Sequence, residues 1–498
     1  MSPGDGAPVP ASSRRTALAA GLAVGAVAVL VRLPLLGLPL DPDEGGYAYI
    51  AHRWAAGARL YSTQAWVDRP QGLMLVFRAI TSLSYSPAAV RLAALVAAVV
   101  LVSSVGAAAW ALGGRRAAGA GSLVAAVLSA GPLLEGYQLN GELLGSSVGT
   151  AGLALGLWWR AGRLRTGWLV LAGALCGFAV LMKQSAFDTP VVLLVVAVLG
   201  ARAHRAWREA LAAVVGMAAP LAAAAVHAAL TGWSAFWYAV VGFQVAVGSS
   251  QSLAGRWDGT WRVALQVAPD LAGASLVALV AVRSRAQARS GPAPDEGAPP
   301  QVRLWPVLLW LVVALVPVLS GPYAHPHYWV QVVAPLAALA GVSIGAAGGR
   351  AAIGLLAVAL VVPLSLQGVL ATQSPARQVS LVITDPRLLA NGAVSAWLRA
   401  HSAPDDQVYA FAASADLYLL SDRLTGYPYL WQANVEYVPG ARALLASYLA
   451  GPTAPRFVVV YEPASTIDPT GTLAGVLAQH YLPAATVAGY PVLERAGG

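Results

Sequence analysis

The sequence predicts an α-helical polytopic membrane protein, about eleven transmembrane helices followed by a small extracytoplasmic α/β C-terminal domain. Three observations carry this expectation. Apolar residues fill 58% of the 498 positions and charged residues 11%, where a soluble domain carries about twice that charged fraction. The apolar positions gather in runs of the length that crosses a bilayer as a helix. Basic residues then fall in every second connection between those runs, which is how orientation in a membrane is written.

The runs lie near 16–38, 87–112, 117–134, 143–160, 166–182, 189–201, 209–230, 263–282, 304–320, 329–348 and 351–371. The clusters Arg14/Arg15, Arg115/Arg116, Arg160/Arg163/Arg165, Arg202/Arg205/Arg208, Arg283/Arg285/Arg289/Arg303 and Arg350 occupy alternate connections. By the positive-inside rule those connections, and the N-terminus, are cytoplasmic. The opposite connections, 39–86, 135–142, 183–188, 231–262, 321–328 and everything after about 372, are then extracytoplasmic. This predicts a multi-pass protein of the cell membrane in contact with membrane lipids. The net charge of +9 belongs to orientation, and no nucleic-acid partner is expected. Arg14-Arg15 ahead of the first run reads as an uncleaved signal anchor. Apart from edge residues such as Arg32, the runs are nearly free of ionisable groups. The single cysteine, Cys176, lies inside a run, so neither an intramolecular disulfide nor a cysteine-based metal site is expected.

Two domains follow, 1–375 within the membrane and 376–498 outside it. The stretch 284–302, rich in Pro, Gly and Ala, reads as a disordered cytoplasmic connection. In the tail, Gln407 to Ala412 and Arg456 to Tyr461 read as strands, and Asn391 to His401 as a helix capped by Asn391.

Polar residues that do not look structural concentrate on the extracytoplasmic side. The first loop, 39–86, opens with Asp41-Pro42-Asp43-Glu44-Gly45-Gly46-Tyr47 and continues into an amphipathic stretch with Tyr47, Ile50 and Trp54. Asp68-Arg69-Pro70-Gln71-Gly72 makes a turn, and Leu73 to Leu83, too short to span, reads as an interfacial helix. Three acids within four residues repel one another, so one of them has a raised pKa or a cationic partner. Equally open is a capping role, with Asp43 at the N-terminus of a helix starting near Gly45.

Asp43-Glu44 just past the first run, Asp68-Arg69-Pro70-Gln71-Gly72 about 25 residues on, about eleven spans and an extracytoplasmic tail together resemble the GT-C superfamily of membrane glycosyltransferases. The nearest likeness is to its protein mannosyltransferase-like group, which includes the bacterial aminoarabinose and galacturonosyl transferases; it extends over roughly residues 16–371. The resemblance implies a polyprenyl-phosphate sugar as donor, Asp43 as catalytic base, and Glu44 as its orienting neighbour or an acceptor contact. It places Arg69 where the group has the basic residue of a Lys/Arg-Pro-Pro segment, with Gln71 in place of the second Pro. It implies no cofactor and no essential metal.

The chemistry suits these residue types. Transfer from a lipid-phosphate sugar passes through an oxocarbenium-like state, the acceptor hydroxyl needs a carboxylate to take its proton, and the departing phosphate needs cations or donors. Lys183, the only lysine, ends the fifth run; it either contacts phosphate or sugar or snorkels to the interface. His325, His327 and Tyr328 begin the tenth run and either donate to the lipid phosphate or anchor the interface. Two histidines astride Pro326 are poor metal ligands. Asp68 and Glu142 are further contacts for substrate, and Glu142 also suits a helix start. The aromatic loop Trp233 to Trp261 reads as a flap or an interface belt.

The expected function is inverting transfer of one sugar from a polyprenyl-phosphate donor to an extracytoplasmic glycan, lipid or protein acceptor. The alternative is a polytopic transporter or lipid flippase, which would gather polar residues near the bilayer midplane.

Overall fold

The computed structural model describes residues 11–204, 206–289, 304–321, 323–411 and 414–497. Helices dominate. The first half holds α1 (Ala11–Leu30), α2 (Pro42–Ala55), α3 (Gln71–Leu83), α4 (Pro87–Leu128), α5 (Gly141–Arg160), α6 (Trp168–Val180), α7 (Asp188–His204) and α8 (Arg208–Thr231). Then come α9 (Trp233–Trp237), α10 (Phe243–Ser250), α11 (Leu253–Arg289), α12 (Trp305–Ser320), α13 (Val330–Ala347) and α14 (Gly349–Ala371). Each predicted apolar segment is helical, the second and third being the two arms of α4. Gly114, with φ of 78°, breaks α4 between them; a residue with a Cβ rarely adopts that backbone. Among the described residues, five helices are long and apolar enough to cross a membrane.

Small residues set the spacing of the bundle. A Cβ on Gly341 of α13 would lie 2.5 Å from the Cα of Gly121 on α4, and one on Gly216 of α8 would lie 2.0 Å from the carbonyl oxygen of Val170 on α6. Such close backbone approach supplies the van der Waals contact that holds helices together where no hydrophobic drive exists. Two features of the bundle differ from expectation. The 233–261 segment is helical, running through α9, a π-helical turn at Tyr238–Gly242 and α10 into α11. The helices also bury more charge than Arg32 alone, since Arg91, Asp188, Glu209 and Asp270 are buried as well. The predicted disordered stretch 284–302 lies largely outside the described residues.

The tail contains α15 (Pro375–Val382), α16 (Pro386–His401), β1 (Val408–Phe411), α17 (Asp416–Ser421), α18 (Gln432–Tyr437), α19 (Ala441–Ala450), β2 (Phe457–Val460), α20 (Thr472–His480), β3 (Tyr481–Val487) and β4 (Tyr490–Arg495). The sheet runs β1-β2-β4-β3, with β1 and β2 parallel and the other pairs antiparallel. The β3–β4 hairpin, absent from the expectation, turns through Ala488 and Gly489, both at positive φ, as two-residue hairpin turns require. Helix α16 starts five residues before Asn391 and is capped by Asp385. Asn391 is instead buried and binds Ser414, Asp416 and Tyr461.

The tail sits directly on α2. A Cβ on Gly45 would lie 2.3 Å from the Cα of Asp416, and one on Gly46 would lie 2.5 Å from the ring of Trp431. The Tyr49 hydroxyl accepts from the Thr425 backbone N–H at 2.9 Å, and Arg53 donates to the Thr425 carbonyl at 3.3 Å.

Candidate active site

Asp41, not Asp43, caps α2. Its side chain accepts from the Asp43 N–H at 2.9 Å, while the Glu44 carboxylate accepts from the Asp41 N–H at 3.0 Å, a reciprocal capping box with Pro42 at the first helical position. The helix therefore begins earlier than Gly45, and Asp43 is released from capping. Its carboxylate, 26% exposed, accepts from the Tyr47 hydroxyl at 2.9 Å and faces Arg69 at 3.8 Å.

Glu44 is fully enclosed. It accepts from Arg91 at 2.6 Å and from the Leu139 N–H at 2.7 Å, and Arg91 also donates to the carbonyls of Leu38 and Tyr137. Glu44 does not line the cavity described below. Of the three neighbouring acids, Glu44 has the closest cationic partner, Arg91 at 2.6 Å, and Asp43 has Arg69 at 3.8 Å. Asp41 is the one pushed well above the usual carboxylate range, by burial and then by the charge of Asp43.

Asp41 and Asp43 face a cavity of about 390 Å³. Asp41, Asp43, Asp68, Arg69, Glu135, Tyr137 and Gln138 line it from the bundle, with Tyr323, His325, His327 and Tyr328 from the segment ahead of α13. The tail closes it with residues 382–385, Arg387 and Leu388, and with Trp431, Gln432, Ala433 and Asn434. A second chamber of about 250 Å³ adjoins it and shares Arg69, Tyr323 and Tyr328. That chamber carries Lys183, Glu142, Gln184, Ser185, Gln244 and Gln331, and reaches Pro317 and Val318 of α12.

All the sequence-predicted site residues but Glu44 thus line one two-part cleft. Arg69 pairs with Asp68, whose carboxylate also accepts from Gln244 at 2.9 Å. Lys183 pairs with Glu142 and lies 3.6 Å over the ring of Tyr328; burial, then Glu142 in the opposite sense, sets its pKa, which ends below the usual lysine value. His327 binds Glu135 at 2.8 Å. Burial alone would raise Glu135, but the bond from His327 and the charge of the two histidines together outweigh it and hold the carboxyl low. His325 stacks on His327 with ring centres 5.2 Å apart. Burial and the neighbouring His327 push its pKa down to about 4, so at neutral pH it offers an N–H donor but no charge. Among the described residues no group of three or more His, Cys, Asp or Glu is arranged to hold a metal ion.

The wall carrying Glu135 is held from several sides. Arg32 donates to the carbonyl of Gly136, the Asp270 carboxylate accepts from the Leu133 N–H, and Glu44 and Arg91 hold Leu139 and Tyr137. Glu135 itself sits at φ of 52°, a left-handed backbone uncommon for a residue with a Cβ. Sequence reasoning overlooked Arg91, Asp270 and Tyr323, and named Asp41 among the three acids without giving it the cap. The signal for the first two was available, since a lone ionisable residue inside an apolar run marks a functional or positioning site. No local pattern distinguishes Tyr323.

Solved structures share this architecture. ArnT from Cupriavidus metallidurans, bound to undecaprenyl phosphate, matches with a TM-score of 0.70 at 16% identity, covering 96% of this chain and 98% of that one. Its apo form matches with a TM-score of 0.63 at 17% identity over the same shares. The oligosaccharyltransferase AglB from Archaeoglobus fulgidus, in complex with an inhibitory peptide and a dolichol-phosphate, matches with a TM-score of 0.52 at 11% identity over 91% of this chain and 70% of that one. No family model and no curated protein matches the sequence. ArnT is an aminoarabinose transferase, and it and AglB are GT-C superfamily members; the fold of this chain is the GT-C fold.

Proposed function

We propose that the chain transfers a sugar from a polyprenyl-phosphate donor to an acceptor hydroxyl with inversion, in a cleft on the extracytoplasmic face of a bundle of about eleven spans. In this reading residues 1–375 form the membrane domain and 376–498 the extracytoplasmic domain that closes the cleft. The observation that carries it is the division of the cleft into a carboxylate-lined chamber and an adjoining chamber that presents Arg69 and Lys183. Undecaprenyl phosphate in the ArnT structure and dolichol-phosphate in the AglB structure support a donor of the same class here.

Asp43 takes the proton of the acceptor hydroxyl as its oxygen forms a bond to the anomeric carbon. The bond between that carbon and the phosphate oxygen breaks on the opposite face, and its electron pair leaves with the polyprenyl phosphate. Arg69 and Lys183 meet the phosphate charge. Tyr323, whose buried hydroxyl has no partner and which borders both chambers, and neutral His325 add donors. His327 and Tyr328 shape the junction, and Glu44 orients α2. The partially exposed Asp43 is the base because Asp41 is engaged in capping and is harder to ionise.

Asp43→Asn removes the base while keeping the shape. Assayed in purified protein with labelled polyprenyl-phosphate sugars, it is expected to lower transfer about 10²–10⁴-fold with donor binding retained. Undiminished transfer removes Asp43 from this role.

A further inference from the structure

The tail wall of the larger chamber has a chemistry of its own. Trp431 lines the cavity, and its indole N–H is buried without a hydrogen-bond partner. A buried donor left unmade is costly and calls for an explanation, which at a cavity wall a water or a ligand atom held in that cavity supplies. The ring packs against Tyr47 with centres 5.5 Å apart, and Tyr47 in turn holds Asp43. Trp431 therefore stands one side chain away from the proposed base. It seats there because α2 has glycine at position 46, where a Cβ would meet the indole at 2.5 Å.

Beside it the cavity is lined by the amides Gln432 and Asn434 of the tail and Gln138 of the bundle. An aromatic ring next to neutral amides suits a ligand with one C–H-rich face and a rim of hydroxyls. A sugar ring has that form, whereas an extended peptide would require main-chain partners that no strand edge supplies within this lining. Of the two phosphate-binding cations, Lys183 lies only in the other chamber and Arg69 lies on the border between the two, so this wall is on the side from which an acceptor approaches.

We propose that Trp431, with Gln432 and Asn434, forms a saccharide subsite for the acceptor, and that Trp431 is its specificity-determining residue. The inference rests on the transferase reading and narrows its acceptor to a carbohydrate, a glycan or the sugar headgroup of a glycolipid. The tail is then part of the binding site and not an accessory module.

The test is saturation-transfer NMR on the purified full chain in detergent, with undecaprenyl phosphate present and a panel of methyl pentosides and methyl hexosides as probes. Saturation is expected to reach ring C–H protons of at least one glycoside, to fall about tenfold in Trp431→Ala, and to fall partially in Trp431→Phe, which keeps the ring and loses the N–H. Undecaprenyl phosphate binding is expected to be unchanged in both, showing that each variant is folded. A wild-type protein that binds undecaprenyl phosphate but transfers saturation to no glycoside overturns the subsite alone. So does a signal indifferent to Trp431→Ala, or one displaced by a hydroxyl-bearing peptide. A wild-type protein that binds neither probe overturns the transferase reading and the subsite with it.

Discussion

At the scale of single residues, three acids within four positions acquire different properties from their surroundings. Asp41 spends its carboxylate on the N-terminus of α2, Glu44 spends its own on Arg91 and two backbone N–H groups, and Asp43 faces the cavity free of any capping bond. The histidines also separate. His327 is tied to Glu135, while His325 is held neutral by burial, with His327, Asp43, Glu135 and Lys183 as its charged surroundings. Because the folded pKa of His325, about 4, lies below its ordinary value of 6.5, the unfolded chain takes up a proton first as pH falls. Its contribution to stability is thus fully present above pH 6.5 and is lost as pH falls toward 4. His325→Gln is expected to flatten that acid limb in thermal melts of the detergent-solubilised protein, with the melts above neutral pH changed little. An unchanged limb would show that other groups control it.

At the scale of elements, the critical joint is between α2 and the tail. Helix α2 carries Asp43 at its start and offers Gly45 and Gly46 to the tail backbone and to Trp431. A methyl group at Gly45 has no flexible neighbour to displace, since the nearest atom is a Cα. Gly45→Ala is expected to cost about 1–3 kcal/mol and to lower transfer by tilting Asp43. Gly392→Ala, where a Cβ meets nothing within 4 Å, is the control. Melting temperature and transfer rate measured together check this, and a Gly45→Ala protein as stable and active as wild type would show the joint to be compliant.

At the scale of the whole molecule, buried ionisable groups bear on the choice between enzyme and transporter. Arg32, Arg91 and Asp270 converge on the 129–139 segment, and Asp188 binds Trp310 and Gln331 beside the second chamber. They brace one end of the bundle, whereas a transport path strings such groups across it. Orientation is testable because Cys176 is buried and leaves a quiet background. Asp405→Cys, on the exposed tail, is expected to react with a membrane-impermeant maleimide in intact cells. Gly167→Cys, in the exposed connection before α6, is expected to react only after permeabilisation. The reverse pattern would invert the topology.

The order of the apolar helices, the two short helices of the first loop and two of the four strands were legible in the sequence, because hydropathy and turn chemistry are local properties. The positions of Asp43, Lys183, His325 and His327 were legible for the same reason, each being a polar residue near the edge of an apolar run, and Arg69 was legible from the Asp68-Arg69-Pro70 turn of the first loop. Their division of labour was not. Which acid caps, which is buried on Arg91 and which faces the cavity depends on contacts between residues dozens of positions apart, and no local pattern records those contacts. The part played by Trp431, nearly 400 residues from Asp43, depends on two glycines that let the tail come down onto α2, so only the tertiary structure could decide it.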